Sequence, residues 1–327
     1  DAKRWRDSNE RARAEFDLAI VSVLLDAGAG PAWRYNDAVT HTKIGRSEGL
    51  ALASFDMFVR GVFSDRADDP LRADAAALQR LTVADLQAGF QVGEDNPLVG
   101  LEGRAGLLRR LGQQVAAAPQ IFGSNDTPRP GGLFDHFADE ARQGSMPANS
   151  ILSGLLRQLG PIWPSRLTLG GIPLGDCWRH PDITTADATS ELVPLHKLSQ
   201  WLSYSLIEPL QRAGLEVTDI DGLTGLAEYR NGGLFVDTGV LVLRNPVDIE
   251  REHDVASPLV VEWRALTVAL LDRLADSLRQ RVGLDAVTLP LAKILQGGTW
   301  ATGREAAFAR RPDGSPPIKI ISDGTVF

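Results

Sequence analysis

Cysteine is almost missing from this chain: Cys177 is the only one among 327 residues. That excludes an internal disulfide and suits a reducing compartment. Also missing is an apolar run of about 18 residues, the length a helix needs to span a bilayer. Residues 1–6 are charged rather than apolar, so a cytoplasmic protein is expected, with neither a membrane span nor a secretory signal. No Met opens the sequence, and some trimmed N-terminal residues are expected for that reason. A basic excess is lacking too. The net charge of −8 argues against a duplex nucleic-acid partner, because neutralising phosphates takes a basic face. A local basic pocket for one small anion stays open. Lysine is scarce: Lys3, Lys43, Lys197, Lys293 and Lys319 stand against a combined Lys and Arg count of 34. Genomic base composition explains most of this bias, yet it makes a lysine in an apolar setting stand out.

Standard chemical signatures are absent as well. There is no phosphate loop, no dinucleotide glycine fingerprint after a strand, and no Gly-x-Ser-x-Gly elbow. The glycines of 170–175 have the wrong spacing and enclose Pro173, so they read as turns. His41, His136, His180, His196 and His253 are scattered. Cys177 and His180 have a ligand-like spacing but lack a second pair, so neither metal nor cofactor is expected.

What is present is an ordinary globular composition, 43% apolar and 23% charged. The length fits one large domain over 1–327 or two intimate subdomains, 1–150 helical and 151–327 mixed, the second carrying the site. Apolar residues recur at helical spacing over 9–26, 47–63, 101–118, 150–159, 195–214 and 258–282. Thr82 with Asp85 resembles a capping box. Pro209 is expected to kink its helix or mark its last turn. Ser257-Pro258 reads as a helix start and Gly283 as a stop. Prolines and glycines over 160–182 break the period and predict short strands anchored by Trp163 and Trp178. The Val- and Leu-rich run 234–243, with Asp237-Thr238-Gly239 in its middle, predicts a strand pair, and 318–321 a short strand. The fold class is therefore α+β, predominantly helical with a small sheet. The order of elements disfavours a doubly wound nucleotide fold.

Two tracts carry chemistry. In Gly225-Leu226-Ala227-Glu228-Tyr229-Arg230-Asn231-Gly232-Gly233, an acid, an aromatic and a guanidinium stand in sequence between apolar segments. Asp237 then interrupts an apolar run, which is costly unless the carboxylate is paired or turned outward. Two carboxylates near an aromatic can do acid–base work on a sugar; the residues alone leave open a structural arginine pair or a site. In His196-Lys197-Leu198-Ser199-Gln200, Lys197 and Gln200 fall on one helical face, as a surface lysine or as an anion or hydroxyl contact.

The first of these tracts, extended to Gly222 through Leu234, together with Val261-Glu262-Trp263-Arg264-Ala265-Leu266-Thr267, Gln296-Gly297-Gly298-Thr299-Trp300, the ending Pro317 to Phe327, Gly175-Asp176-Cys177-Trp178 and the early tract Trp33 to Glu48, resembles the uracil catabolism protein 4 family along the length of the chain. The resemblance implies a uracil-degrading route in which the opened ring stays on ribose as ribosylurea or its phosphate, and N-glycosidic hydrolysis then releases urea. A weaker similarity to queuosine-phosphate N-glycosylases rests on Lys197 with Gln200 and on Ala227-Glu228-Tyr229-Arg230, where Glu replaces an Asp. It implies a helical core like that of DNA glycosylases. On this reading Glu228 acts at the anomeric carbon, and Asp237 or Asp176 is the second carboxylate. Tyr229 packs on the ureido group, Lys197 and Arg230 hold a 5′-phosphate, and Gln200 and Trp178 complete the substrate-binding set. The alternatives are a non-catalytic partner of the urea-releasing enzymes, an N-glycosylase for another modified nucleoside monophosphate, or an amidohydrolase using Cys177. Packing is the commoner use of a buried cysteine. The residues say nothing of the oligomeric state.

Overall fold

The computed structural model describes residues 5, 7–123, 127–164 and 166–321. The rest of the charged start, the middle of the 123–132 loop and the closing 322–327 of the C-terminal motif lie outside the described residues. The protein is predominantly α-helical, with short strands in two-stranded sheets. It divides into two compact units: the described residues up to 164 with 201–218, and those over 166–200 and 219–321.

The first unit contains α1 (Ser8–Leu25), α2 (Arg46–Val59), α3 (Ala75–Arg80), α4 (Val83–Gly89), α5 (Leu101–Ala117), α6 (Pro119–Phe122), α7 (Leu133–Glu140) and α8 (Ala148–Leu159). Asp7 caps α1 by accepting the Glu10 N–H at 2.7 Å. Phe16, Ile20, Val23 and Leu24 turn one stripe of it into the core. The same helix buries Asp17 completely. Its carboxylate accepts from Arg129 Nε at 2.8 Å, from the Ala73 N–H at 3.0 Å and from the Gly131 N–H at 2.5 Å. Gly131 is required there, because a Cβ would lie 2.2 Å from the Arg13 carbonyl oxygen. The capping box of α4 forms as read, with Thr82 and Asp85 bonded reciprocally. Tyr35–Asn36 (β1) pairs antiparallel with Lys43–Ile44 (β2), and Ser145–Pro147 (β3) pairs parallel with Glu216–Thr218 (β8).

The second unit opens with two antiparallel hairpins, Thr168–Leu169 (β4) with Ile172–Pro173 (β5), and Cys177–Arg179 (β6) with Leu192–Pro194 (β7). The helix α9 (Lys197–Arg212) follows, its first turn in this unit and the rest in the first, with Pro209 in its last turn. Then come α10 (Tyr229–Asp237), α11 (Pro258–Val282), α12 (Leu291–Ile294), a π-helical turn Leu295–Thr299 and α13 (Trp300–Arg310). Glu252–Asp254 (β9) and Lys319–Ile321 (β10) pair in parallel. Phe235, Leu271, Ala275, Leu291, Ile294 and Leu295 form one core cluster of this unit, and Leu274 and Trp300 pack on it. The helix α11 begins at Ser257-Pro258 and ends on Gly283 in the left-handed region (φ 69°), although the Ser257 hydroxyl makes no cap bond.

The strand pair predicted over 234–243 does not form. The chain is helical through Asp237, and Gly239 (φ 76°) turns it away. Residues 231–235 are all buried, between α11 on one side and α13 on another. A helix covered on all sides shows no polar face, so its apolar run imitates a strand. Among the described residues no helix is long and apolar enough to cross a membrane.

Candidate functional site

Asp176 ties two of the motif tracts together inside the second unit. Its carboxylate receives both Nη atoms of Arg264 at 2.8 Å, the Trp178 indole N–H at 2.6 Å and the Lys197 backbone N–H at 2.9 Å. Its main-chain carbonyl accepts the N–H of Leu195 and of His196. Asp176 therefore caps the start of α9 from outside the helix, where the macrodipole favours a negative charge. Arg264 is 1% exposed and reaches on to the Ala227 carbonyl through Nε at 3.2 Å. One arginine thus fixes both the turn that launches Lys197 and the residue before Glu228. Burial alone would raise the Asp176 carboxyl; the Arg264 charge and the converging hydrogen bonds prevail and hold it at about 2. Every approach to this carboxylate is occupied, so Asp176 positions other groups and stays ionised. His196, in the left-handed region at φ 45°, is part of the same turn, and burial lowers its imidazole pKa against the pull of Asp176. It lines a cavity of about 370 Å³ with Cys177, Leu169, Leu174 and Leu192.

Glu228 is the N-cap of α10. Its Oε1 accepts the Asn231 N–H at 2.8 Å and its Oε2 the Arg230 N–H at 2.7 Å. Glutamate is not among the favoured caps; the extra methylene lets both oxygens reach back to the helix N-terminus. Burial pushes its carboxyl up from the ordinary range. The two N–H bonds, followed by the charges of Lys197 and Arg230, pull it back only in part. Lys197 and Arg230 therefore both place positive charge around Glu228. Close packing holds this turn: a Cβ on Gly232 would lie 2.8 Å from the Trp263 ring and from the Thr267 hydroxyl, and one on Gly303 would lie 2.6 Å from the Arg230 carbonyl oxygen. The Trp263 indole donates to the Gly232 carbonyl at 3.0 Å.

Of the residues singled out from the sequence, Glu228, Tyr229, Arg230, Lys197 and Gln200 gather at the two helix starts. Tyr229 is half-buried with the Arg230 guanidinium 5.9 Å from its ring centre. Gln200 is buried, and its Oε1 faces the Thr224 N–H at 3.4 Å. Trp178 is drawn inward instead of toward a ligand, its N–H on Asp176 and the Arg166 guanidinium 4.9 Å over its ring. Asp237 is not brought to Glu228. It stands at the other end of α10, roughly 13 Å away at about 1.5 Å per residue, clamped by Arg311 at 2.8 and 2.6 Å. A paired, buried carboxylate is what an apolar run requires. Cys177 is buried with its thiol pushed up, burial first and Asp176 second, which disfavours the nucleophilic thiolate. Among the described residues no three His, Cys, Asp or Glu side chains converge as metal ligands. Two residues that matter were not singled out: Arg264, and Asn231, which is fully buried beside Glu228. Arg264 stands in a quoted motif, but its partner lies 88 positions away.

Compared with known proteins, the chain matches the family described as protein of unknown function (DUF1688) along residues 1–327. It is 44% identical over 329 residues to protein urg3 of Schizosaccharomyces pombe (strain 972 / ATCC 24843), covering 99% of this chain and 78% of that protein. It is 38% identical over 349 residues to uracil catabolism protein 4 of Lachancea kluyveri, covering 98% of this chain and 78% of that protein.

Proposed function

We propose, from the premise that this chain belongs to the DUF1688 family, that it acts in uracil catabolism as an N-glycosyl hydrolase, releasing urea from ribosylurea or its 5′-phosphate. The name of the Lachancea kluyveri relative supports the pathway. The observation that carries the reaction is the Glu228 carboxyl, buried, raised in pKa and fixed at a helix N-terminus with Lys197 and Arg230 around it. Urea is a poor leaving group, so its nitrogen must gain a proton as the C1′–N bond breaks. A neutral Glu228 supplies that proton and becomes a carboxylate beside the oxocarbenium-like centre, where a preorganised charge is effective. Water then adds its oxygen to C1′ and returns a proton to Glu228, giving ribose (phosphate) and urea. The second-carboxylate role is not carried forward, since Asp176 and Asp237 are both held by arginines. This chemistry needs no cofactor. An amidohydrolase would call for a metal cluster or an activated Cys or Ser, and burial with the Asp176 charge disfavours the Cys177 thiolate.

The test is incubation of metal-stripped protein with ribosylurea and, separately, its 5′-phosphate, following free urea. Release from either is expected. A folded protein that binds these compounds and frees no urea would turn the reading to a non-catalytic partner. If Lys197 holds the 5′-phosphate by a charge-assisted bond, Lys197→Met lowers kcat/KM for the phosphate by roughly 10–100-fold. The unphosphorylated substrate changes far less. An equal loss on both would place Lys197 elsewhere.

A further inference from the structure

Asn231 is the third residue of α10 and has no exposure, yet neither Oδ1 nor Nδ2 of its carboxamide makes a hydrogen bond to a described residue. A buried carboxamide without partners carries an uncompensated desolvation cost. The backbone does not call for asparagine here. The N–H bond to Glu228 can be made by any residue except proline, and most residues form helix as well or better. At N-cap and N3 of one turn, Glu228 and Asn231 share a face, as in a capping box. Here, however, the Glu228 carboxyl takes only backbone N–H groups and leaves the carboxamide unengaged. The turn thus offers a carboxyl beside an amide that has a donor and an acceptor in one plane. Thr299 Oγ1 is likewise buried without a hydrogen bond to a described residue, at the end of the π-helical turn that packs against α10. Such turns concentrate at functional sites.

We infer that Asn231 is the specificity-determining residue for a planar ureido or amide group held beside Glu228, its Nδ2 donating to the ligand's carbonyl oxygen and its Oδ1 accepting from a ligand N–H. The inference rests on the glycosidase reading for the orientation of the ligand, and it adds a rule for the leaving group. A leaving group must present a carbonyl and an N–H side by side. A ribosyl compound lacking that pair leaves two buried polar atoms unmatched and is rejected.

The test compares ligands in a Glu228→Gln background, where turnover is suppressed, by calorimetric titration with ribosylurea 5′-phosphate and with ribose 5-phosphate. Adding Asn231→Leu is expected to weaken binding of the first at least tenfold and of the second less than twofold. The melting temperature should hold or rise, because two unmatched polar atoms are removed. Asn231→Asp keeps the shape and loses the donor; it should weaken ribosylurea 5′-phosphate binding by a similar factor. Unchanged ribosylurea 5′-phosphate binding, or an equal loss on both ligands, overturns the assignment. So does a melting temperature lowered by several degrees in Asn231→Leu, which would give the carboxamide to a buried structural water. No binding of ribosylurea 5′-phosphate without the Asn231 change overturns it as well. Binding that discriminates as expected, in a wild type that releases no urea, would sink the hydrolysis reading and leave the role of Asn231 standing.

Discussion

Glu228→Gln is expected to lower urea release by roughly two to four orders of magnitude, the usual range for a positioned acid–base group, in a protein that remains folded. Gln is close to isosteric, and its side-chain oxygen still accepts one N–H at the start of α10. The pH profile separates chemistry from capping. The Glu228 carboxyl is raised by burial, so as an acid it is protonated, and the enzyme most active, below that raised value. The rate should fall with a single-proton slope as pH climbs past it, and Glu228→Gln should remove that slope along with most of the rate. Stability follows the same sign. A carboxyl raised on folding contributes stability that is complete below its ordinary value of 4.5 and lost as pH rises through the folded value. The glutamine variant should therefore gain on the wild type toward alkaline pH. Full turnover in Glu228→Gln would reduce Glu228 to a helix cap.

Local patterns in the sequence were enough to locate the helices whose faces are one-sided. Phe16, Ile20, Val23 and Leu24 mark α1, Ser257-Pro258 and Gly283 bound α11, and Thr82 with Asp85 opens α4. Periodicity failed at α10, where residues 231–235 are buried all round and no polar side is left to show the period. The need for a partner at Asp237 was also legible, because a lone carboxylate in an apolar run is costly; that the partner is Arg311, 74 positions on, was not. The same holds for Asp17 with Arg129, 112 positions apart. Long-range pairing leaves no trace in spacing, and the chemistry of Asp176 is decided by that pairing. From the sequence it reads as a spare catalytic carboxylate. In the fold it is the fully bonded partner of Arg264.

That difference gives the second large effect. Asp176→Asn should destabilise the protein by about 3–5 kcal/mol, the range for breaking a buried ion pair from one side, read from denaturant or thermal unfolding. The cost comes less from the lost attraction than from Arg264, which keeps its charge at 1% exposure and faces a neutral amide in place of the carboxylate. The double variant Asp176→Asn with Arg264→Met should recover part of the loss, because no charge is then stranded. The pH dependence has the opposite sign to that of Glu228. Folding depresses the Asp176 carboxyl from 3.8 to about 2, so its contribution is present above about 3.8 and disappears as pH falls toward 2. Wild type and Asp176→Asn should converge in stability across that acid window. Activity should fall as well in any Asp176→Asn protein that still folds, because the turn carrying Lys197 and the carbonyl before Glu228 both lose their anchor. A variant within about 1 kcal/mol of wild type at neutral pH, with turnover intact, would show that Asp176 and Arg264 do not hold the site together.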